Sequence, residues 1–193
     1  MYPKYRGLSV VENPSTSSPG LAFLAATIAR HPGDAWKEYW KALKRNDVRV
    51  VADWTSAYET EFTGGGGSGT RPIVVSYASS PPADVVYSDG KKKRPTIAAV
   101  TKDCFRQYEF AGVLHNAKHP NAATQLVEFL ASATFQADMP LNMFVYPTRA
   151  NVPLPKVFTD FAAVVEHPIT IDYREIDKQR TAWIRDWTTL EIG

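Results

Sequence analysis

Four hydroxyl side chains stand in a row at Ser15-Thr16-Ser17-Ser18, between Asn13-Pro14 and Pro19-Gly20 and directly ahead of the apolar run Leu21 to Ala26. Ser18 suits the N-cap of a helix, and Pro19 suits the first helical turn, where a missing backbone N–H costs nothing. A helix N-terminus also offers unpaired N–H groups and a partial positive charge, so hydroxyls beside it suit an anionic or polar ligand group. A capping loop alone explains the run equally well. A second set of residues carries different chemistry: Trp54, Tyr77 with Ser79 and Ser80, and Phe144 fall in segments that read as strand ends and loops. Rings of this kind stack on flat heteroaromatic ligands, and an electron-rich indole or phenol face attracts positive charge. Together the two sets point to binding of a flat, preferably cationic ring that carries a polar end.

Catalytic and metal constellations find little support. His115 and His119 are four apart, but no Glu follows the first and Pro120 interrupts a helix there, so they read as a solvated loop. No Gly-x-Ser-x-Gly elbow, dinucleotide fingerprint or distinctive carboxylate pair occurs. The glycines of Thr63 to Thr70 end in Arg71-Pro72 and lack the Gly-Lys-Ser/Thr of a phosphate loop, so a flexible connection is expected. Cys104 is the single cysteine and has no disulfide partner within the chain, so a quiet, partly buried thiol is expected. No catalytic residue and no metal ligand is assigned.

The elements that would position these residues alternate between short strands and helices. A strand at Leu8 to Val11 leads into the hydroxyl loop and a helix from Leu21 to Arg30, stopped near Pro32-Gly33. Asp34 caps a second helix in which Trp36, Tyr39, Trp40 and Leu43 face a core. Val48 to Ala52 is a strand that ends at Asp53-Trp54, and Ser56 with Glu59 forms a capping box just beyond. Ile73 to Ala78 is a further strand, closed by a polar, proline-stopped loop at Ser79 to Pro82. Ligands in α/β folds lie at the carboxyl ends of strands, which singles out Trp54 and Tyr77.

Strands are also expected at Thr96 to Val100 and Tyr108 to Leu114, and a helix at Ala122 to Ala131 with Leu126, Phe129 and Leu130 as its apolar face. The prolines of Ala137 to Pro155 predict strand or extended loop, and a closing helix runs from Arg174 to Leu190 with Trp183 and Trp187 in the core. A net charge of +2 over 193 residues indicates neither a nucleic-acid groove nor a polybasic membrane surface. Lys91 to Arg94, the one concentrated basic run, reads as a solvated turn. The first residues show no signal-peptide pattern, and no apolar run is long enough to span a bilayer, so an integral membrane protein is not expected.

The chain resembles the thiamine-binding periplasmic proteins of ABC transporters. The resemblance rests on Asn13 to Leu21, on Trp54 with Ala57-Tyr58, on Val75 to Pro81, on Asn142 to Pro147 and on Gln179 to Trp187, in the family's order and over nearly the whole chain. Parts of it would also fit iron(III)- or polyamine-type binding proteins of the same two-lobed fold. The resemblance implies an α/β lobe of the type II periplasmic-binding-protein kind, a mixed sheet flanked by helices with further helices at the C-terminus. Residues 1–100 would form the second lobe, and 101–193 the segments returning toward the first lobe together with the closing helices. It further implies that Ser17 or Ser18 takes the polar end of thiamine or a thiamine phosphate, that Trp54 and Tyr77 line the ring site, and that Phe144 stands where the family tends to place a tryptophan. A second tyrosine expected shortly after Tyr77 is replaced near Ala83. Thiamine would be a transported ligand and not a cofactor, the partner would be a membrane permease, and the location would be periplasmic or extracellular. The family carries a further segment ahead of Pro3-Lys4-Tyr5-Arg6-Gly7, so this chain reads as a half-cleft whose missing lobe supplies any carboxylate that pairs with the ligand's charge. A small α/β enzyme and a non-catalytic interaction domain are the alternatives.

Overall fold

The computed structural model describes residues 3–190. A single 3-10 turn, Pro3–Tyr5, precedes strand β1, Ser9–Glu12. Strand β2 is Arg49–Val51 and strand β3 is Ile73–Val74; they flank β1 in the order β2-β1-β3, and both pair with it in parallel. The register sets Val10 opposite Arg49 and Val74, and Glu12 opposite Val51. The ladder extends a little beyond β3, since Val75 N–H donates to the Val10 carbonyl at 3.2 Å. A parallel central strand is buried on both faces, and Val10, Val11 and Glu12 are all buried.

Helix α1, Ser18–Arg30, and helix α2, Ala35–Arg45, cover one face of this sheet. Their apolar stripes meet the strand at Val11, Leu24, Trp36, Trp40, Leu43 and Val48, and a distant tryptophan, Trp187, completes the cluster. Trp40 lies at its centre: Phe23 and Trp187 approach its ring edge-on at 5.4 and 5.5 Å, and its indole N–H donates to Thr27 Oγ1 at 2.9 Å. The Thr27 hydroxyl in turn donates to the Leu24 carbonyl at 2.7 Å. A buried indole N–H needs such a partner, and a threonine one α1 turn beyond Leu24 supplies it.

Several local expectations give way to the structure. Ser17, not Ser18, is the N-cap of α1: its extended backbone (φ −132°, ψ 131°) leaves its Oγ to accept from Gly20 N–H at 3.5 Å, and Ser18 is the first helical residue. The Ser56–Glu59 capping box does not form. Asp53 Oδ1 takes the Ser56 N–H at 2.7 Å, and Ser56–Glu61 is a π-helical turn closed by Phe62 N–H on the Ala57 carbonyl at 3.0 Å. Ser79 to Pro82 is not a loop but the start of helix α3, Ser80–Val86, because prolines in a first turn cost no hydrogen bond.

The glycine stretch is no flexible connection either. A Cβ at Gly67 would run into the backbone of Phe62 and Tyr58, one at Gly69 into that of Glu61, and one at Gly65, which has φ +61°, into the Tyr58 ring. The glycines therefore let a tight loop close over the π-helical turn, held by Gly69 N–H on the Phe62 carbonyl at 3.1 Å and Thr63 N–H on the Arg71 carbonyl at 3.1 Å. Lys92 is likewise drawn out of the basic run, since its Nζ pairs with the buried carboxylate of Asp84.

Beyond residue 95 the expected strands are absent among the described residues: Thr96 to Val100 and Tyr108 to Leu114 run without ladder bonds, and Phe105 makes a lone parallel bridge to Ile169. Helix α4, Pro120–Leu130, leaves Leu126 and Phe129 exposed, so its apolar stripe has no core to enter in this chain. Helix α5, Ala133–Asn142, forms through Pro140, contrary to the extended segment expected there. Ser132 caps it by accepting from Phe135 N–H at 3.2 Å. Gln136, nearly buried, ties the helix outward, donating to the Leu130 carbonyl at 2.8 Å and accepting from Thr148 N–H at 2.8 Å. Helix α6, Lys156–Phe161, packs on α3, and helix α7, Tyr173–Thr189, carries Trp187 back into the first core.

Candidate functional site

The loops that follow β1, β2 and β3 all leave the same, carboxyl edge of the sheet, and short hydrogen bonds tie them side by side. Asn13 Oδ1 accepts from Ser15 N–H at 2.8 Å and from the Ser15 hydroxyl at 2.6 Å, folding the first loop on itself. Thr16 Oγ1 donates to the Ala52 carbonyl, joining the first loop to the second. Trp54 Nε1 donates to Ser76 Oγ at 2.9 Å, joining the second to the third, and the Ser76 and Ser80 hydroxyls share a bond of 2.8 Å. Ser15, Thr16 and Ser17 thus have structural roles, whereas Ser18 lies exposed on the first turn of α1. Gly20 lets that turn sit directly on β1, because a Cβ there would stand 2.6 Å from the Glu12 carbonyl oxygen.

Trp54 and Tyr77, separated by 23 positions in the chain, come together. Their ring centroids are 6.2 Å apart at 45°, and Trp54 is also stacked on Tyr58 at 4.7 Å and 16°. Tyr58 leans on Phe62 at 5.5 Å, and the glycine loop closes against the Tyr58 ring from behind. Tyr58 is buried and Tyr77 is 43% exposed, so the set grades from a fixed base to an open ring. Burial pushes the Tyr58 phenol up to about 12, with the Ser80 hydroxyl opposing the shift. Burial also raises that of Tyr77, and the nearby carboxylates of Glu109 and Glu12 raise it further. Both phenols are therefore neutral at physiological pH, Tyr77 as the open ring and Tyr58 as the buried ring stacked on Trp54. A cavity of about 210 Å³ opens alongside, bounded by Tyr58, Phe62, Ser76, Tyr77, Ser80 and Ile97.

Phe144 joins this edge by a different route. Its backbone has φ +53°, a conformation unfavourable for an aromatic residue, and its carbonyl accepts from the Ser79 hydroxyl. Its ring packs on Tyr87 at 5.1 Å and on Phe158 at 6.1 Å, whereas those of Trp54 and Tyr77 face each other. Ser79 is the link, two residues past Tyr77, so Phe144 stands beside the ring site on the α3–α6 side. Among the described residues no group of three or more His, Cys, Asp or Glu side chains is placed to hold a metal ion, and His115 and His119 lie exposed ahead of α4.

Three residues at this edge are given no role by the sequence reading, although Tyr58 and Ser76 fall within the stretches that carry the resemblance: Tyr58, Ser76 and Glu12. Tyr58 falls in the π-helical turn, whose phase cannot be read from helical spacing. Ser76 is an inconspicuous hydroxyl until Trp54 is brought to it. Glu12 ends the central strand, entirely buried, with neither carboxylate oxygen hydrogen-bonded. Burial pushes its carboxyl up to about 7, its own backbone N–H opposes the shift, and Asp53 adds to it. The available signal was the acid itself: strand alternation in Ser9-Val10-Val11-Glu12 sets it on one face with Val10, at the end of a strand apolar enough to be central.

No family model matches the chain. It is 29% identical over 180 residues to a thiamine-binding periplasmic protein of Escherichia coli, covering 92% of this chain and 51% of that protein. It is 28% identical over 193 residues to a thiamine-binding periplasmic protein of Haemophilus influenzae, covering 94% and 52%. Among solved structures, a periplasmic thiamin binding protein superposes with a TM-score of 0.80 at 28% identity, over 96% of this chain and 55% of that one. A Bordetella ferric binding protein superposes with a TM-score of 0.53 at 18% identity, a likeness of fold alone. The chain spans about half the length of the curated relatives it matches. By sequence and by fold, the chain is similar to periplasmic thiamine-binding proteins along that half, and it shares the α/β architecture of periplasmic binding proteins.

Proposed function

We propose that this chain forms one wall of a binding site for thiamine or its phosphate esters, as part of a non-catalytic solute-binding component that delivers its ligand to an ABC permease at the cell envelope. The observation that carries the reading is the row Trp54, Tyr58 and Tyr77 at the strand ends, tied by Ser76 to the same sheet edge as the capped N-terminus of α1. The rings offer stacking and cation–π surface to a thiazolium or aminopyrimidine, and Ser17 and Ser18 with the first N–H groups of α1 offer donors to a hydroxyl or phosphate. Phe144 flanks the rings. Similarity to thiamine-binding proteins supplies the ligand class.

In this reading residues 1–100 are the body of a lobe, and 101–193 run out toward a second wall before α7 returns. The exposed, unladdered stretch from Tyr108 to Leu114, in which Phe110 is 93% exposed, is the edge that faces that wall. The 193 residues on their own therefore bind weakly. The test is an amide and indole NMR titration with thiamine and then thiamine monophosphate, up to millimolar concentration. The Trp54 indole and the Ser17 to Gly20 amides shift together, while the indoles of Trp36, Trp40, Trp183 and Trp187 stay in place. Trp54→Ala weakens binding by about 3- to 30-fold, the worth of one stacking contact. Shifts confined to other regions, or full affinity in the Trp54 variant, would remove the site from this edge.

A further inference from the structure

The family resemblance assigns the ligand's positive charge to a carboxylate outside this chain, yet the molecule holds one of its own at the strand ends. Glu12 is the last residue of the central strand, fully buried, with both oxygens unpartnered. Its side chain lies on the sheet face opposite Val11, which is committed to the α1–α2–α7 core, and the π-helical turn also packs against β1. The ionisable groups that act on it come from the neighbouring strand-end loops: Asp53 after β2, and Tyr77 after β3 with Glu109 acting on the same phenol. From α1 the neighbour is the uncharged first turn, seated on the Glu12 backbone through Gly20. All the ionisable groups in this ring are acidic or phenolic, and none is a cation.

A buried carboxylate without a hydrogen bond or a counter-ion is among the most costly groups a fold can keep. Here it sits at the end of the central strand, at the sheet edge that carries Trp54 and Tyr77, and close enough to act on the Tyr77 phenol. We propose that Glu12 is the counter-charge of the strand-end cleft: acting through space on a ligand held against Trp54 and Tyr77, it gives the site its preference for a positively charged flat ring over a neutral ring of the same shape. The proposal rests on the reading that rings bind at this edge. It deepens that reading by locating the charge selectivity on this chain. Binding is coupled to proton release. A carboxyl that burial has pushed up to about 7 is partly protonated in the empty protein near neutral pH, and part of that proton occupancy is released to solvent as the cation arrives, a fraction set by the pH.

The experiment follows the side-chain carboxyl carbon of Glu12 by NMR in the full chain with labelled glutamate, titrating pH without ligand, with thiamine, and with its neutral thiophene analogue. The Glu12→Gln variant assigns the signal. Thiamine should lower the Glu12 midpoint by about one pH unit, and by linkage bind about tenfold more weakly well below that midpoint than well above it. The neutral analogue should leave the midpoint in place. Glu12→Gln should bind thiamine about tenfold more weakly and the analogue unchanged, with the core indole signals showing that the fold is kept. A Trp54 indole that responds to thiamine while the Glu12 midpoint stays fixed overturns the proposal and leaves the ring site standing.

N-methylthiazolium and neutral 4-methylthiazole, which need no pyrimidine site, make the same comparison independently of thiamine. A midpoint lowered by the cation alone, in a chain that ignores thiamine, would keep Glu12 as the counter-charge and discard thiamine as the ligand. Equal effects from the two thiazoles, or none from the cation, sink the proposal outright.

Discussion

The burial of Glu12 weighs on stability in a pH-dependent way. Its folded-state carboxyl titrates near 7, against an ordinary value of 4.5, with burial the main cause. Between those values the native protein holds a proton that the unfolded chain has lost, so stability falls as pH rises through this window and stays low above it. The expected loss is on the order of 3 kcal/mol from pH 4.5 to pH 8, and Glu12→Gln, which cannot ionise, should be more stable than the parent at pH 8 with the difference vanishing near pH 4.5. Urea unfolding at the two pH values measures it, and a parent that loses nothing relative to the variant would place the Glu12 titration elsewhere. Asp53, close by, has the opposite character. The Ser56 N–H and hydroxyl hold its carboxyl below the usual range, so it remains charged and adds to the local negative field.

At the scale of elements, two short connections do more than join strands. The glycine loop has little room for a side chain at Gly65, Gly67 and Gly69, which close on Tyr58, Phe62 and Glu61. Gly69→Ala should destabilise the protein by about 1–3 kcal/mol, as overpacking against backbone does, and should broaden the Trp54 indole signal through its stacking partner Tyr58. An unchanged melting midpoint would mean that the loop can relax outward. The segment after α3 is pinned by Asp84. Burial works against its charge, but Lys92, the Thr96 N–H at 2.7 Å and the Thr96 hydroxyl at 2.9 Å outweigh it and hold the carboxyl below its ordinary range. Asp84→Ala should cost about 1–3 kcal/mol by leaving these donors unmatched, and should speed hydrogen exchange at Thr96.

Across the whole molecule, packing divides unevenly. The first core gathers β1, α1 and α2 around Trp40 and draws α7 in from the far end of the chain through Trp187. Trp187→Ala should therefore destabilise by about 3–5 kcal/mol and release the α1–α2 tryptophans from their native indole shifts. The exposed segments from Val100 to Leu114 should lose amide protection far faster than β1, since they make few backbone bonds and bury little apolar surface. Native-state hydrogen exchange on the parent chain compares them directly, and equal protection would contradict this division.

Strand and helix placement through residue 51, the core role of Trp36, Trp40 and Trp187, and the hydroxyl loop at a helix N-terminus follow from periodicity and from the Ser-Pro chemistry ahead of α1, which are local properties; the cap expected of Asp34 does not form, since its carboxylate bonds no N–H of α2 and pairs with Lys37 instead. For the same reason Trp54 and Tyr77 could be singled out by their position at strand ends. Tertiary structure alone decided the rest. Whether Tyr108 to Leu114 is a strand depends on a partner strand that no local pattern can supply, and whether a proline starts a helix, as at Pro81, or lies within one, as at Pro140, depends on which carbonyls go unpaired. The burial of Glu12 comes from its place at the end of the central strand, between β2 and β3 and under the first turn of α1 seated on its backbone, and that arrangement is written in no single segment of the chain.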